Sequence, residues 1–509
     1  MLVRRFITLA ALIAAATTGA ARAQERPQGP LARTLAPLFQ GRAWRYATWG
    51  ALVVSLTRGD TLLSYRADRR FVPASNAKLF TTAAALHYLG PAFRFFTVLF
   101  ASGPVHGDTL DGDLVLYGTG DPTFGVDTAQ LAPFADSVVR RGIRHVRGDV
   151  VGDASLLGAE LAGPGWAPEN LDQWFAAPPS ALGAAGNLVA ITVEPGEQRG
   201  DTAVVSVDPP NDYFTITSTV VTGRPRSRTR ITVHRGPVPT RIELGGTISP
   251  WRRAWTSYEV VQQPAVFAAS LLRSLLAACG VTVAGTTRGA TDDAPDLARR
   301  LLAWARGGGA GAGASDSDGG SDGAAGFDGA IALRRSEDLG DLVAMINRRS
   351  HNLSAELVFR SIGRSVGGAG TFASGARAVA QFLRDTVGIA PASFTVSDGS
   401  GLSLLDEASP RSLVQLLAYE RRAPEAEVFW NSLPVAGDGL GGRMEDTPAY
   451  GRLRAKTGTL KNASALAGYV SAANGEELAF SIMVNDAWRI ERARRVQDRI
   501  GAILAGFSR

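Results

Sequence analysis

The chain has 509 residues, of which 45% are hydrophobic and 20% are charged, and this globular composition is spread over too much chain for one small domain. It holds one cysteine, and none of its five histidines follow HxH or HExxH spacing. The sequence therefore argues against a disulfide framework, a metal site and a bound cofactor, although histidines distant in sequence can converge to bind a metal. The formal charge is +6. Three of the arginines lie in the leader segment described next, which leaves +3 on the rest of the chain, too little to indicate a nucleic-acid partner.

Residues 1–23 have the pattern of a secretory signal peptide. Two arginines precede an apolar run from Phe6 to Ala16, and the small-residue end Ala21-Arg22-Ala23 predicts cleavage after residue 23. The apolar run is well short of the ~20 residues needed to span a bilayer. The most apolar later stretch, Pro264 to Gly285, carries Arg273 and has helical periodicity. We expect an exported, periplasmic protein with no membrane span.

The first predicted elements after the leader are a β-hairpin and a helix. Short β-rich runs from Trp49 to Leu56 and from Thr61 to Tyr65 are separated by the turn sequence Arg58-Gly59-Asp60. Apolar residues then recur at helical spacing from Leu79 to Leu89. This periodicity places Ser75 at or near the N-terminus of the helix.

The pattern changes after this helix. From about Phe95 to Gly246 the chain reads as short alternating strands cut by glycine and proline turns. The sequence therefore predicts a β-rich insert, residues 95–282, within a domain formed by residues 24–94 and 283–509. Residues 307–326 are glycine, alanine, serine and aspartate with no large apolar side chain, which predicts a flexible surface loop.

Helices and strands alternate towards the C-terminus. Helical periodicity covers Leu339 to Ile362 and Thr371 to Val387, and a glycine-rich turn follows at residues 398–401. Three strand patterns and a final arginine-rich helix come next, at Leu453 to Thr459, Leu466 to Ser471, Leu478 to Asn485 and Ile490 to Phe507. Strands and a helix beside the helix that begins near Ser75 predict one α/β domain split by the insert.

Lysine is rare in this chain. Of 53 basic residues only Lys78, Lys456 and Lys461 are lysines. An ammonium can lose its proton in a dry site, whereas a guanidinium effectively cannot. A lysine retained against such a bias is therefore a candidate for chemistry that arginine cannot perform.

Two of these lysines complete short motifs. In Ser75-x-x-Lys78 the two side chains lie one helical turn apart, so a lysine kept neutral by burial can take the proton of the serine hydroxyl. The helix N-terminus adds N–H groups that can bind an oxyanion. The alternative, an N-capping serine with a solvated lysine, is the commoner meaning of this motif in an average protein. The scarcity of lysine favours the catalytic interpretation.

Two further motifs follow in order, Ser350-His351-Asn352 and Lys456-Thr457-Gly458. The first can supply a proton relay and an amide that holds a peptide carbonyl, or it is simply a polar loop or helix end. The second follows a strand pattern, where Thr457 can hydrogen-bond a carboxylate, Gly458 can let a substrate backbone approach, and the N–H of Thr459 can complete an oxyanion hole. The alternative for Lys456 is a surface strand lysine.

Competing motifs fit less well. Gly-x-Ser-x-Gly occurs at residues 319–323 and 363–367, but neither match lies between a strand and a helix as a nucleophile elbow requires. No lysine follows a glycine, which excludes a P-loop. Asp121, Asp398 and Asp438 lie in glycine-rich turns, where aspartate commonly forms the turn itself, and we interpret them as structural.

The three motifs in this order resemble those of penicillin-binding proteins and class A β-lactamases, with Ser-x-Asn in place of Ser-Asp-Asn. The long separation of Lys78 from Ser350 is similar to that of class C low-molecular-mass penicillin-binding proteins, the D-alanyl-D-alanine carboxypeptidase/endopeptidase family, which carries a large insert after the first motif. The stretches that share this resemblance are Tyr117 to Thr123, Gly152 to Ser155, Ala177 to Leu182, Ser350 to Glu356, Asp398 to Ser403 and Ser432 to Gly437.

The resemblance implies a penicillin-binding, β-lactamase-like α/β fold and a role for each motif. Ser75 would be acylated with Lys78 as its base, and Ser350 and Asn352 would relay the proton and hold the substrate. Lys456 and Thr457 would engage the terminal carboxylate, and the N–H groups of Ser75 and Thr459 would bind the oxyanion. Two departures concern loop conformation and substrate preference: Leu440 follows Asp438-Gly439 where the family tends to have threonine, and Ser336-Glu337 replaces Ser-Pro.

The sequence therefore predicts an exported serine enzyme that acts on the D-Ala-D-Ala ends of peptidoglycan stem peptides through an acyl-enzyme, and that is acylated by β-lactams. Action on D-Ala cross-links is the second form of this hypothesis. Two alternatives are a β-lactamase-like or esterase hydrolase of the same fold and a catalytically idle wall-binding protein. The sequence makes no prediction of the oligomeric state or of the diamino acid preferred in the stem peptide.

Overall fold

The structure, a computed structural model, describes residues 29–290 and 330–509. The predicted signal peptide, residues 1–23, and the predicted flexible loop, residues 307–326, both lie outside the described residues. The helices of the described part are α1 Pro30–Leu35, α2 Ala77–Leu89, α3 Ala132–Arg140, α4 Pro264–Ala278, α5 Leu339–Arg349, α6 Asn352–Gly367, α7 Phe372–Gln381, α8 Pro410–Glu420, α9 Ala426–Ser432 and α10 Ile490–Ala505.

The strands of the described part are, in chain order, β1 Thr48–Ser55, β2 Thr61–Tyr65, β3 Phe96–Ala101, β4 Val105–His106, β5 Thr109–Leu110, β6 Leu114–Gly118, β7 His145–Val146, β8 Val150–Asp153, β9 Leu188–Glu194, β10 Val204–Asp208, β11 Thr215–Ser218, β12 Val221–Thr222, β13 Arg230–Arg235, β14 Arg241–Ile248, β15 Trp255–Val260, β16 Thr282–Val283, β17 Thr287–Gly289, β18 Ala330–Arg335, β19 Phe394–Thr395, β20 Glu407–Ala408, β21 Leu453–Leu460, β22 Ala463–Ser471 and β23 Glu477–Asn485.

The two ends of the chain form one antiparallel sheet of order β2-β1-β23-β22-β21. β1 pairs with β23, with Trp49 opposite Val484, so the N-terminal hairpin and the C-terminal strands share a layer. The central strand β22 is almost entirely buried because helices cover both faces of the sheet. α1 and α10 pack on one face, and α2 with α5 to α9 packs on the other. β21 lies at the edge of the sheet, beside the start of α2.

Alternating side chains along these strands build two cores. Ala51 and Val53 of β1 face α1 and α10, whereas Leu52 between them faces the helical layer that contains α2. This period of two is what β geometry requires of a strand buried on both faces. The strand and helix patterns predicted for both ends of the chain therefore form the layered α/β domain.

The region between α2 and α5 has its own hydrophobic core. Its sheets have the orders β10-β9-β15, β11-β14-β12 with β13 beside β14, β16-β7-β5-β4, and β17-β8-β6-β3-β18. Two helices, α3 and α4, pack in the same core. The region is rich in short strands, and it contains parallel pairs such as β6 with β8.

Strand pairing disagrees with the predicted end of the insert at residue 282. That boundary cuts through β16, which pairs with β7. β18 lies further along the chain and pairs antiparallel with β3, with Leu333 opposite Val98. Because backbone hydrogen bonds tie β18 to β3, residues 330–335 belong with the insert rather than with the first domain. The pairing partner of a strand is a long-range property that the local pattern did not reveal.

A second difference concerns the predicted helix from Leu339 to Ile362. The structure divides it into α5 and α6, with Ser350 between them in the left-handed conformation at a φ of 55°. A left-handed residue cannot continue a right-handed helix. The break coincides with the second motif and turns the Ser350 side chain towards the edge strand β21.

Candidate active site

Ser75 lies in a single 3₁₀ turn, Ala74–Asn76, that leads directly into α2. The turn packs closely against two other segments. A Cβ atom added to Gly401 would lie 2.0 Å from the carbonyl oxygen of Ala74, and one added to Gly458 would lie 2.5 Å from that of Pro73. Both positions therefore require glycine. For Gly458 the reason differs from the sequence interpretation, because the missing side chain makes room for the Ser75 turn rather than for a substrate backbone.

Lys78 is fully buried one turn along from Ser75. Its Nζ atom donates to Ser75 Oγ at 3.0 Å, to Asn352 Oδ1 at 2.6 Å and to the carbonyl oxygen of Ser400 at 2.7 Å. Three acceptors satisfy the three protons of the ammonium. The first motif and the asparagine of the second thus meet at one nitrogen atom.

Lys456 meets the serine of the second motif. Its side chain is buried, and Nζ donates to Ser350 Oγ at 2.9 Å and to the carbonyl oxygen of Thr457 at 3.1 Å. Asn76 connects this group to the first, since its side-chain amide donates to the carbonyl oxygen of Lys456 at 2.8 Å. The four residues predicted for catalysis therefore lie in one cluster with Lys456. They are Ser75, Lys78, Ser350 and Asn352.

The rest of the third motif lies on the edge strand β21. Thr457 is half-buried and Thr459 is exposed. An edge strand leaves backbone N–H and carbonyl groups free on its outer side, where an extended peptide can pair. Thr457 and Thr459 lie on this strand beside the Ser75 turn, which Gly458 contacts directly.

The electrostatic environment weakens the proton affinity of both buried lysines. Burial lowers the pKa of Lys78 to about 8, against the opposing charges of Glu356, Asp398 and Asp406. Burial, and next the charge of Lys78, hold the pKa of Lys456 well below the ordinary value of a lysine. A lysine whose pKa is lowered to about 8, as that of Lys78 is, can act as a general base.

A buried group of carboxylates lies beneath Lys78, and sequence reasoning missed its role. Glu356 accepts from the N–H groups of Gly399 and Ser400 at 2.7 and 2.8 Å. Glu356 therefore orients the turn whose Ser400 carbonyl accepts from Lys78. Burial and the neighbouring Asp398 raise the pKa of Glu356 to about 8. The signal for Glu356 was its position one turn after Asn352 on the same helical face.

Asp398 stabilises the turn in which it lies, in agreement with the structural role that we assigned to it from the sequence. Its carboxylate accepts from the N–H groups of Ser400, Gly401 and Ser403. Asp406 lies beside it, and burial together with Asp398 raises the pKa of Asp406 well above its ordinary value. Asp398 is nevertheless part of the charge around Lys78, and no local signal identified Asp406.

His351 has a structural place between Ser350 and Asn352. It caps α6, with Nδ1 accepting from the N–H of Ser354 at 3.3 Å and lying 2.6 Å from Ser354 Oγ. Burial, and next the charge of Lys78, lower its pKa to about 4. The imidazole is therefore neutral over the range in which Lys78 titrates.

The insert closes one side of the cluster. The side-chain amide of Asn352 donates to the carbonyl oxygen of Phe175 at 2.8 Å, and the indole N–H of Trp166 donates to Asp398 at 2.8 Å. Arg360 of α6 is buried and donates to the carbonyl oxygens of Leu157 and Pro179. The segment from residue 157 to 179 is thus bound to the helix that carries Asn352, a contact that sequence spacing could not predict.

Among the described residues, no group of three or more His, Cys, Asp and Glu side chains is arranged to hold a metal ion. Nor does any helix in this part of the chain combine the length and apolar character that crossing a bilayer requires.

The same architecture is found in a solved structure, penicillin binding protein 4 (dacB) from Haemophilus influenzae. The TM-score is 0.76 at 22% identity, over 93% of this chain and 99% of that chain. A structure of the same protein complexed with a novel β-lactam matches at a TM-score of 0.68 and 21% identity, over 90% of this chain and 95% of that chain. The fold is therefore that of penicillin binding protein 4, and the predicted α/β fold class is confirmed.

A family model described as the D-Ala-D-Ala carboxypeptidase 3 (S13) family matches residues 31–305 and 322–506. The chain belongs to this family, which confirms the predicted family and its serine-type carboxypeptidase class. The D-alanyl-D-alanine carboxypeptidase of Actinomadura sp. (strain R39) is 31% identical over 92% of this chain and 84% of its own length. The D-alanyl-D-alanine carboxypeptidase DacB of Haemophilus influenzae is 24% identical over 86% of this chain and 85% of its own length.

Proposed function

We propose that the protein is an exported enzyme that removes the terminal D-alanine from D-Ala-D-Ala stem peptides of peptidoglycan, and that penicillin acylates it at Ser75. The observation that carries this proposal is the 3.0 Å contact between Lys78 Nζ and Ser75 Oγ, with the lysine fully buried and its pKa lowered to about 8. Membership of the S13 family and the names of both relatives support the choice of substrate.

The first step is attack of Ser75 Oγ on the carbonyl carbon of the penultimate D-alanine. As the C–O bond forms, the hydroxyl proton passes to neutral Lys78. Negative charge moves to the former carbonyl oxygen, which the N–H groups of Ser75 and Thr459 bind in our assignment. The contact of Gly458 with the Ser75 turn supports this assignment, because it joins the two donor segments.

The second step breaks the peptide bond. The leaving nitrogen takes the proton that Lys78 accepted from Ser75, with Ser350 as the relay. D-Alanine departs as the amine, and the acyl group stays on Ser75 as an ester. Water then adds to the ester carbonyl as Lys78 takes one of its protons. The bond between the carbonyl carbon and Ser75 Oγ breaks, Lys78 returns the proton to Ser75 Oγ, and the shortened peptide leaves as an acid that ionises in water. Asn352, bonded to both Lys78 and Phe175, orients the base and the substrate side of the site.

Lys456 and Thr457 attract the terminal carboxylate of the substrate in this scheme. Lys456 holds Ser350 at 2.9 Å, and its protonated form attracts the carboxylate. The exposed edge of β21 aligns the peptide backbone. A β-lactam presents the same carboxylate and a strained amide. After attack its leaving nitrogen stays tethered to the acyl group, so the leaving group remains in the site and hinders water.

Labelling with a fluorescent penicillin tests this function. Wild-type protein should be labelled at Ser75, as located by peptide mapping, and Ser75→Ala should lose the label while its thermal melt stays nearly unchanged. Ser206→Ala is the matched control, because Ser206 is an exposed serine of the insert strand β10, and it should label like wild type. Undiminished labelling of Ser75→Ala would contradict the assignment. The N-terminus of the exported protein should be Gln24.

A further inference from the structure

One end of the insert carries a concentration of positive charge that the rest of the chain does not have. The whole chain balances 53 basic residues with 47 acidic residues. Between Thr222 and Arg253 there are eight arginines and a single acidic residue, Glu243. In a chain with nearly equal numbers of both signs, such a local excess indicates a surface built for an anionic partner.

The structure gathers most of this charge on two neighbouring loops at one end of a sheet. The first loop, residues 223–229, joins β12 to β13, and the second, residues 249–254, joins β14 to β15. They are tied together by hydrogen bonds from Gly223 N to the carbonyl oxygen of Ile248 at 2.8 Å and from Ser249 N to Thr229 Oγ1 at 3.0 Å. Six exposed side chains of these loops form a surface that we call the arginine tip: Arg224, Arg226, Arg228, Trp251, Arg252 and Arg253.

The arginines of the tip are not neutralised within the described part of the chain, where none of the five forms an ion pair. Arg252 donates only to the carbonyl oxygen of Ala254, and Arg226 lies 5.0 Å from the centre of the Trp251 ring. By contrast, Arg235 of the same sheet is paired with Glu259 at 3.0 Å. The partly buried Arg235 is therefore paired with a carboxylate, whereas the charges at the tip are left for solvent or an external anion.

The position of Trp251 indicates which kind of anion the arginine tip binds. Its indole is 64% exposed at the end of the sheet, held beside a guanidinium. A large apolar ring with one N–H donor is the side chain enriched at the interface between lipid and water, and arginine pairs bidentately with phosphate. Guanidinium groups spread over two exposed loop ends suit a broad surface of phosphates rather than a single small anion.

We propose that the arginine tip docks the protein on an anionic phospholipid bilayer. The five guanidinium groups contact lipid phosphates, and the Trp251 indole enters the headgroup layer. This contact is peripheral and involves none of the residues of the Ser75 cluster. It therefore stands independently of the proposed carboxypeptidase activity.

Sedimentation of the full chain with lipid vesicles tests the proposal. Wild-type protein should bind vesicles of mixed phosphatidylglycerol and phosphatidylcholine. The affinity should fall by at least tenfold with vesicles of phosphatidylcholine alone, which carry no net charge. It should fall by at least tenfold in 0.5 M NaCl as well, because added salt screens the phosphates. Each arginine close to such a surface changes affinity by roughly fivefold. The triple variant Arg224→Gln, Arg226→Gln, Arg228→Gln should therefore bind on the order of 100-fold more weakly.

A matched control removes the same charge elsewhere. In α10 and the residue before it, Arg489→Gln, Arg492→Gln and Arg495→Gln also remove three exposed arginines, but acidic side chains such as Glu491 lie among them. This control should bind within about threefold of wild type, on the same scale of surface electrostatics. Equal losses in the two triple variants, or no binding to phosphatidylglycerol, would overturn the proposal.

Trp251→Ala separates a membrane from a soluble polyanion. It should weaken vesicle binding several-fold while leaving binding to long-chain polyphosphate nearly unchanged. If instead the triple tip variant loses polyphosphate binding and Trp251→Ala leaves vesicle binding intact, the partner is an anionic polymer and the lipid proposal is wrong. Because all three mutated arginines and Trp251 are exposed, thermal melts should match wild type and exclude misfolding as the cause.

Discussion

The acylation rate of Ser75 should rise with pH and level off just above pH 8. In the proposed mechanism Lys78 must be neutral to accept the serine proton, and burial places its pKa at about 8. With that pKa, about 1% of the lysine is neutral at pH 6, about 9% at pH 7 and about half at pH 8. A lysine with an ordinary pKa would be only about 0.04% neutral at pH 7, and its rate would still be rising at pH 10.

Glu356→Gln should move this midpoint to lower pH. The charge of Glu356 is the largest of those that raise the pKa of Lys78. Because the pKa of Glu356 is itself raised to about 8, this carboxyl is partly ionised at the midpoint, and its removal leaves the effect of burial less opposed. We expect a shift on the order of one pH unit. The glutamine keeps one acceptor for the two backbone N–H groups that Glu356 binds, so the variant should also lose about 1 to 3 kcal/mol of stability.

The assay is single-turnover acylation by a fluorescent penicillin from pH 5.5 to pH 10. His351 does not interfere, because its pKa is lowered to about 4. Glu420→Gln is the matched control, since Glu420 is a buried carboxyl with a pKa also raised to about 8, but it lies in α8 and is not among the groups that shift Lys78. A midpoint near pH 10, or an equal shift in Glu420→Gln, would refute this reasoning.

Two further predictions follow from the lysines and from Glu420. Lys78→Arg should abolish acylation because a guanidinium cannot act as a base at neutral pH, whereas Lys456→Arg should retain part of it because attraction for the carboxylate survives. Equal acylation rates with penicillin in the two variants would mean that Lys78 acts as a fixed charge. The second prediction concerns Glu420. Burial raises the pKa of Glu420 from its ordinary value to about 8, so the folded state favours the protonated carboxyl. The stability that this protonated carboxyl contributes is lost as pH rises from about 4.5 to 8. Glu420→Gln should therefore raise Tm relative to wild type more at pH 8 than at pH 5, and a constant difference across this range would contradict it.

Several features of this protein follow from short stretches of sequence. A spacing of three residues on a helix places Lys78 beside Ser75 whatever the rest of the fold does. The strand patterns near the C-terminus predicted strands of an α/β domain, and the motifs with their order and spacing indicated the D-alanyl-D-alanine carboxypeptidase family. The scarcity of lysine singled out Lys78 and Lys456 before any contact was known. Each of these properties depends on local geometry or on composition.

Other features appeared only with the tertiary structure. The helical pattern around Ser350 ran on without a break, because nothing local shows that the residue must turn towards Lys456 on a strand 106 positions later. Glu356 and Asp406 come from separate segments, and their effect on Lys78 arises from shared burial, which a linear sequence does not display. The pairing of β18 with β3 also joins residues far apart in the chain.

The clearest case is Gly458. The motif identified the position, and the sequence suggested that its missing side chain admits a substrate. In the fold the missing Cβ atom leaves room for the carbonyl oxygen of Pro73, so the glycine lets the edge strand reach the Ser75 turn. Sequence determined the residue type and its neighbours on one strand or helix. Which segments come into van der Waals contact depends on the path of the whole chain, and only the tertiary structure decides it.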